Sequence, residues 1–379
     1  MVQSVLLRGM TWDHSRGYDP MVATAAAYKN IHPEVEIIWE KRSLQAFADR
    51  PIDEMASEFD LMVIDHPHVG DVVSSGSLVA LDDVAREKEL QVLATQSVGP
   101  SHKSYQFDGH QWALAIDAAT PVATYRPDRI STPPKNWSEV LDLAQQGQVA
   151  FALIPINALM VFFGLAKNMD MVIADTPDRF VSGEDGAIIL ELLVEIVAHM
   201  DPRCLALDPI GIFDWMGNEK DGPVYSPFGY GYTNYSRDGY CAYPLVFVDA
   251  PGVGDSGPRG TVLGGTGIAV SSKSSHRDIA VDYAFWIAGA DCQSGLFYDA
   301  GGQPANSIAW ESATCNASCQ NFFINTRRTL ETSWVRPRHA GYMAFQEKAG
   351  NIVHACLRNE VGITATVLAL QNAYVESQI

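Results

Sequence analysis

Long apolar runs are missing from this sequence. No stretch approaches the roughly 18–20 consecutive apolar residues that a transmembrane helix needs. The first residues, Met-Val-Gln-Ser-Val-Leu-Leu-Arg-Gly, include no basic n-region, no long apolar segment and no small-residue cleavage site, so we expect no signal peptide. These absences exclude functions that require a helix inserted in a membrane, and we predict no membrane insertion.

Positive charge is also scarce. The chain has 26 Lys and Arg against 45 Asp and Glu, which gives a formal net charge of −19. Proteins that bind a phosphate backbone or an anionic membrane surface need clustered positive charge. We therefore predict no nucleic acid partner.

Signatures of enzymes and metal sites are absent as well. The sequence contains no P-loop, no G-x-S-x-G, no H-E-x-x-H and no EF-hand loop. Of six cysteines, only Cys315 and Cys319 are close in sequence, and a local disulfide and two free thiols both stay open for them. Zinc would need two such pairs or nearby histidines. We assign no catalytic residue, no metal ligand and no cofactor.

What is present is an ordinary globular composition. The 379 residues are 47% hydrophobic, and a chain of this length exceeds what one core usually supports, so two lobes are expected. The N-terminal part alternates predicted strands and helices, which indicates an α/β fold with a parallel sheet. The predicted strands are 2–8, 35–39 and 61–64, and the helices are one that Asp19-Pro20 begins and one at 52–58.

The pattern changes beyond residue 110. Two extended pieces at 112–117 and 121–126 follow each other without a helix, which suits a crossing between lobes. A segment at 213–239 is rich in Tyr, Gly and Asn and has little periodicity. Further predicted strands lie at 149–154, 245–248 and 267–270, and a Gly/Pro loop is predicted at 252–260. Helices are predicted at 138–146 (with Ser138 as cap), 157–167, 184–200 and 275–288, and two more within 340–377.

Five motifs in chain order resemble the extracellular solute-binding proteins of ABC importers, of the sugar type (periplasmic binding protein-like II). Two departures are Arg126, where the family has Asn after Tyr, and the absence of a signal peptide. The motifs are V-G-D-V-V-S-S-G-S-L-V-A-L-D-D (69–83), W-A-L-A-I with A-T-Y-R-P-D (112–116 and 123–128), P-K-N-W-S-E-V (134–140), G-G-T-G-I-A-V-S (264–271) and G-G-Q-P-A (301–305).

The resemblance implies a two-lobe periplasmic-binding-protein type II fold. Each lobe would hold a mixed, mainly parallel sheet flanked by helices, with a hinge between them and a ligand in the cleft. Lobe 1 would take residues 1–117 and 262–310, and lobe 2 would take 118–261 and 311–379. The implied partners are a small-molecule ligand and an ABC permease, and the protein would be a monomer. Family membership implies a periplasmic location, while the missing signal peptide leaves a cytoplasmic one open.

Candidate ligand contacts follow three predicted strands, where an α/β sheet binds its ligands. Trp12 could stack on the apolar face of a sugar or pack on its own lobe. Arg42 could bind ligand oxygens bidentately, or it could be a solvated surface side chain. Asp65 could bind the ligand or cap a helix. A metal on Asp65, His66 and His68 is disfavoured because Pro67 separates the histidines. The full strand-end set is Trp12, Asp13, His14, Arg42, Ser43, Asp65 and His66.

The remaining candidates come from the crossing and from later segments. Asn157 begins a predicted helix whose free N–H groups could meet a ligand, and a plain N-cap role is equally open. The tyrosines give flat apolar faces with a hydroxyl, and could instead be core. Two glycines could let the backbone approach the ligand or form a hinge turn. This second set is Asp117, Asn157, Tyr230, Tyr232, Asn234, Gly264 and Gly265.

We predict a binding protein that captures a small polar solute, with a sugar or sugar-derived compound favoured, for an ABC importer. Two alternatives stay open. One is an intracellular ligand sensor of the same fold, and the other is an enzyme in which Asp65 and His66 act as acid and base.

Overall fold

The computed structural model describes residues 4–43, 51–254 and 260–378. Residue 2, the predicted start of the first strand, and residues 255–259 of the predicted Gly/Pro loop lie outside these ranges. The chain forms two compact units. Unit 1 comprises Met1–Ala119 and Gly264–Ala317, and unit 2 comprises Thr120–Leu263 and Ser318–Ile379.

Unit 1 is built on a five-stranded sheet with the order β2-β1-β3-β12-β6. β1 pairs in parallel with both β2 and β3, which confirms the parallel β-α-β-α-β start. β12 runs antiparallel to β3 and β6. A two-stranded hairpin, β4–β5, belongs to the same unit. The strands are β1 (Val5–Trp12), β2 (Val35–Arg42), β3 (Leu61–Ile64), β4 (Gln106–Phe107), β5 (His110–Gln111), β6 (Leu114–Ala119) and β12 (Gly264–Val270).

Helices cover this sheet, and the core lies between them. All four residues of β3 are buried, as its unbroken apolar sequence predicts. The helices of unit 1 are α1 (Ser15–Ile31), α2 (Ile52–Glu58), α3 (Val69–Ser75), α4 (Glu87–Gln96), α9 (Arg277–Ala288), α10 (Ala290–Cys292), α11 (Ser307–Glu311) and α12 (Ala313–Ala317), with a π-helical turn at Gln293–Phe297.

Unit 2 contains smaller sheets and longer helices. β7 (Pro121–Tyr125) lies between β10 (Tyr225–Tyr230) and β11 (Val246–Val248), and both neighbours are antiparallel to it. β8 (Ile173–Thr176) and β9 (Arg179–Val181) form a hairpin. The helices are α5 (Trp137–Ala144), α6 (Pro155–Asn168), α7 (Gly183–Val197), α8 (Pro209–Asn218), α13 (Phe322–Glu331), α14 (Tyr342–Leu357) and α15 (Ile363–Glu376).

The start of unit 1 differs from the prediction. β1 continues to Trp12, because Gly9 leaves room for the Trp39 ring of β2; a Cβ there would lie 2.5 Å from that ring. α1 begins at Ser15 with His14 as its cap, so the prediction that Asp19-Pro20 begins the helix is wrong. Pro20 lies inside the helix.

Two predictions in unit 2 also need correction. Asn136, and not Ser138, caps α5. The predicted strand at 149–154 is buried over residues 149–153, and within the described part of the chain it forms a single isolated bridge, from Val149 to Tyr225. The aperiodic segment at 213–239, to which the sequence analysis assigned no element, contains β10 and a 3₁₀ turn at Thr233–Ser236.

The helices of the described ranges are all too short or too polar to cross a membrane. The two helices predicted within 340–377 are confirmed as α14 and α15.

Candidate functional site

One edge of the unit 1 sheet gathers most of the predicted contacts. Trp12 pairs with Arg42 where β1 and β2 end, and Asp65 follows the end of β3, the strand on the other side of β1. Because β12 runs antiparallel to β3, its first residues lie at this same edge, and Thr266 pairs there with Asp117 of β6. We call this the carboxyl edge; its predicted members are Trp12, Asp13, His14, Arg42, Ser43, Asp65, His66, Asp117, Gly264 and Gly265.

The Trp12 ring is packed within unit 1. Its exposed fraction is 4%. His14 stacks on it with ring centroids 5.4 Å apart, and the Arg16 guanidinium lies 5.8 Å from its centroid. A Cβ at Gly17 would be 2.3 Å from the indole, so a glycine is needed there. The Trp12 ring therefore belongs to the packing beneath the accessible side chains of the carboxyl edge.

His14 connects this packing to helix α1. Its Nδ1 accepts a hydrogen bond from the Arg16 N–H at 3.0 Å, which places it as the N-cap. Burial, and then the positive charge of Arg16, lower the pKa of His14 to about 4. A neutral ring is required here, because a protonated Nδ1 could not accept the capping hydrogen bond.

Asp117 forms a buried ion pair with Arg16, a residue that the sequence analysis did not single out. Nε of Arg16 donates to Oδ2 at 2.8 Å, and Nη2 donates to Oδ1 at 2.5 Å. Burial raises the pKa of Asp117, and the guanidinium of Arg16 opposes that rise. No local sequence motif indicates this ion pair, because 101 residues separate its two partners.

Charged side chains at the rim are more exposed. Asp13 receives a salt bridge from Lys41 at 2.7 Å, and about half of each side chain is accessible. Arg42 lies 3.6 Å from Glu58, and its guanidinium lies over the Phe59 ring. These side chains form the polar, accessible part of the carboxyl edge, together with the exposed Ser43.

Asp65 caps the 3₁₀ turn His66–His68. Its Oδ1 accepts the His66 N–H at 2.8 Å, and the same oxygen lies 3.1 Å from Nδ1 of His66. His66 is fully buried and meets Tyr105 edge-on. Within the described ranges, Asp65, His66 and His68 are not among the side-chain groups close enough to share a metal ion. The capping interpretation of Asp65 is confirmed.

Gly265 is required by a close approach of two strands. Its φ is +91°, and a Cβ there would lie 2.3 Å from the carbonyl oxygen of Asp117. The register between β12 and β6 shifts at Thr266/Gly267. Gly265 therefore lets the two strands approach closely beside the Arg16–Asp117 pair, and Gly264 pairs with Ala119 of β6.

In unit 2 the three predicted contacts after β7 differ in exposure. Tyr230 ends β10 and is half-buried. Tyr232 is buried, with its ring 6.3 Å from that of Phe213. Asn234 is also buried, and its Oδ1 has no hydrogen-bond partner among the described residues. Tyr230 is thus the most accessible of the three.

Asn157 and Arg126 of unit 2 both take part in the fold of that unit. Asn157 lies in the first turn of α6, whose cap is Ile154, so the N-cap interpretation is wrong. Arg126 is completely buried; it pairs bidentately with Asp128 and donates to the carbonyls of Met216 and Glu219. The Asn-to-Arg departure from the family motif therefore belongs to the packing of unit 2.

Comparison with known proteins identifies the family of this chain. A family model described as bacterial extracellular solute-binding protein matches residues 23–318. The chain belongs to this family of extracellular solute-binding proteins. The resemblance inferred from the five sequence motifs is confirmed, as is the periplasmic-binding-protein fold class.

Individual relatives are distant. A maltotriose-binding protein of Pyrococcus abyssi (strain GE5 / Orsay) is 25% identical over 122 residues, which are 32% of this chain and 26% of that relative. The maltose-bound MalE3 of T. maritima is 13% identical, with a TM-score of 0.83 over 98% of this chain and 99% of that one. A ribitol complex of a solute-binding protein from Agrobacterium radiobacter K84 is 17% identical, with a TM-score of 0.79 over 100% and 99%. At these identities the solved structures show the fold alone.

All six cysteines are free, which answers the question left open for Cys315 and Cys319. Cys241 is half-buried and the other five are buried.

Proposed function

We propose that the protein captures a sugar or a sugar-derived solute and delivers it to the permease of an ABC importer in the periplasm. The observation that carries the proposal is the gathering of polar strand-end residues at the carboxyl edge, in a chain of the solute-binding family. Ligands of α/β sheets bind beyond such edges. The relatives named for maltotriose, maltose and ribitol support a polyhydroxylated ligand.

Accessible charged groups would make the direct contacts at the carboxyl edge. Asp13 and Asp65 supply carboxylate oxygens that accept hydroxyl hydrogen bonds, and Arg42 supplies a planar set of donors. The salt bridge from Lys41 holds Asp13 in place before a ligand arrives. The buried Trp12 and His66, the half-buried His14 and the Arg16–Asp117 pair would act by positioning these groups.

In unit 2, Tyr230 is our candidate for the aromatic face that stacks on the apolar side of a sugar ring. It combines a flat apolar surface with a hydroxyl at modest entropic cost. Tyr232, Asn234 and Asn157 are buried and would support it.

We also propose that the protein binds its ligand without changing it chemically. The enzyme alternative needs His66 to exchange protons with a substrate, whereas its ring is buried against Tyr105 and beside Asp65. Incubation of the purified protein with each ligand that it binds should leave that ligand unchanged. Turnover that disappears in His66→Ala would establish the enzyme instead.

A thermal-shift screen tests the ligand class. We would compare maltose, maltotriose, ribitol, amino acids and organic acids, because a ligand that binds only the folded state raises the melting temperature by mass action. We expect a shift with a sugar or polyol that Asp13→Ala and Arg42→Ala each reduce. Lys29→Ala, which removes an exposed salt bridge elsewhere in unit 1, is the matched control. A shift only with amino acids or organic acids would overturn the proposal.

Location and assembly need separate measurements. Fractionation of native cells should recover the protein outside the cytoplasm, and recovery in the cytosol alone would favour the intracellular sensor. We also propose a monomer, which size-exclusion chromatography with light scattering measures directly.

A further inference from the structure

A second cluster of polar side chains lies in unit 1, away from the carboxyl edge. Asp82, Asp83 and His110 each offer one ligand atom, and these atoms all lie within 4.8 Å of one another. Nδ1 of His110 is 3.0 Å from Oδ2 of Asp82 and 3.8 Å from Oδ2 of Asp83. Ligand atoms about 2.1 Å from a tetrahedral zinc ion are roughly 3.4 Å apart, and the two distances from His110 lie on either side of that value.

The backbone holds this cluster in shape. Oδ1 of Asp82 accepts the Gln111 N–H at 2.8 Å, which leaves Oδ2 directed to His110. The Leu81 N–H donates to the Gln111 carbonyl, so the two ligand-bearing segments are tied together on both sides. The His110 ring also packs edge-on against Trp112 at 5.5 Å. The carboxylate and the imidazole are therefore preorganised.

A hollow of about 310 Å³ adjoins the cluster and is lined by both Asp82 and His110. Gln111 lines it too and is 2% exposed. Its Nε2 donates to the carbonyls of His102 and Ala113, which fixes the orientation of the amide. The Gln111 amide thus points into the protein, and the cluster itself meets the hollow through Asp82 and His110.

We propose that Asp82, Asp83 and His110 bind a first-row divalent transition-metal ion. Two carboxylates and one imidazole suit such an ion better than Ca²⁺ or Mg²⁺, which prefer oxygen ligands alone. Three protein ligands leave a position open toward the hollow for water. In binding, the metal takes the place of the proton between His110 and Asp82. The site is independent of the solute-binding proposal, because none of its residues belongs to the carboxyl edge.

Zinc titration of the full-length, tag-free and EDTA-treated protein tests the site by calorimetry. We expect one equivalent of Zn²⁺ to bind, and Asp83→Asn and His110→Gln each to weaken binding by at least about tenfold. Asp83 is 68% exposed, so its substitution leaves the fold intact. Asp108→Asn is the matched control, since Asp108 lines the same hollow without belonging to the cluster.

Three results would overturn the proposal. They are no zinc binding, unchanged affinity in either ligand variant, and an equal loss in Asp108→Asn. The last would mean an adventitious ion held by the general negative charge of the chain. With Co²⁺ in place of Zn²⁺, the wild type should show visible absorption bands that His110→Gln lacks, and their persistence would also contradict the assignment.

Discussion

Arg16 and Asp117 form a two-point ion pair in which both side chains are almost completely buried, at 3% and 5% exposure. Helix α1 is thereby joined to strand β6 at the carboxyl edge. Removing one partner from a buried pair leaves an uncompensated charge, which is far more costly than the loss of a surface pair.

Arg16→Met should therefore destabilise the protein by about 3–5 kcal/mol in urea unfolding. The double variant Arg16→Met/Asp117→Leu should recover a large part of that loss, because no buried charge remains. Lys29→Met, which breaks an exposed pair with Glu36, should cost less than about 1 kcal/mol. If Arg16→Met costs no more than Lys29→Met, the pair contributes little to stability.

Stability should fall as the pH decreases from about 6.5 to about 4. Burial lowers the pKa of His14 and of His102 to about 4 in the folded protein. Between that value and the ordinary pKa of about 6.5, the unfolded chain binds more protons, so stability rises with pH in this window. His14→Asn keeps a capping oxygen without a titrating ring. Its urea midpoint should depend less steeply on pH than that of the wild type, and an identical dependence would exclude His14 as a source.

Tyr230 and Tyr232 should respond differently to substitution. Tyr230 is half-buried at the end of β10, so Tyr230→Ala should weaken sugar binding at least about tenfold, with a small change in melting temperature. Tyr232 packs on Phe213, so Tyr232→Ala should destabilise by about 3 kcal/mol. Undiminished ligand affinity in Tyr230→Ala would show that the aromatic face lies elsewhere.

Arg126→Lys should lower stability without changing ligand affinity. The guanidinium lies 3.9 Å from the Tyr243 ring centroid and holds the pKa of Asp128 below its usual range. A lysine cannot reproduce the bidentate pair and both carbonyl contacts, so we expect a loss of about 2–4 kcal/mol. Arg129→Lys, at an exposed position with one carbonyl contact, is the control. If fully folded Arg126→Lys protein loses ligand affinity, Arg126 contributes to ligand binding.

Sequence patterns predicted the helices and strands that depend on residues close together in the sequence. The apolar run at Leu61–Ile64 and the helix at Ile52–Glu58 have the predicted bounds. The start of α1 was missed because His14 caps it, and histidine is not among the residues that usually cap helices. The buried segment that begins at Val149 has the composition of a strand, but strand pairing depends on a partner distant in sequence, and among the described residues this segment forms one bridge.

The candidate site was predictable in location more than in detail. Strand-end positions of Trp12, Arg42 and Asp65 follow from the parallel order of β2, β1 and β3. Which of these side chains are accessible depends on packing, and packing is decided by Gly17 and Arg16, whose roles no motif reveals. The same holds for the Asp82–Asp83–His110 cluster, where hydrogen bonds of Leu81 and Asp82 with Gln111 bring together side chains 28 residues apart in the sequence.

The central position of β12 bears on how unit 1 folds during synthesis. β12 lies between β3 and β6, yet it follows them by more than a hundred residues in the sequence. Until Gly264–Val270 leaves the ribosome, β3 and β6 each lack the neighbour that β12 provides in the folded sheet. Closing such a long-range pairing is slow, and the growing chain is open to misassociation in the meantime. Residues 1–119 alone should therefore not fold as a stable domain, although they supply all but one of the strands of unit 1.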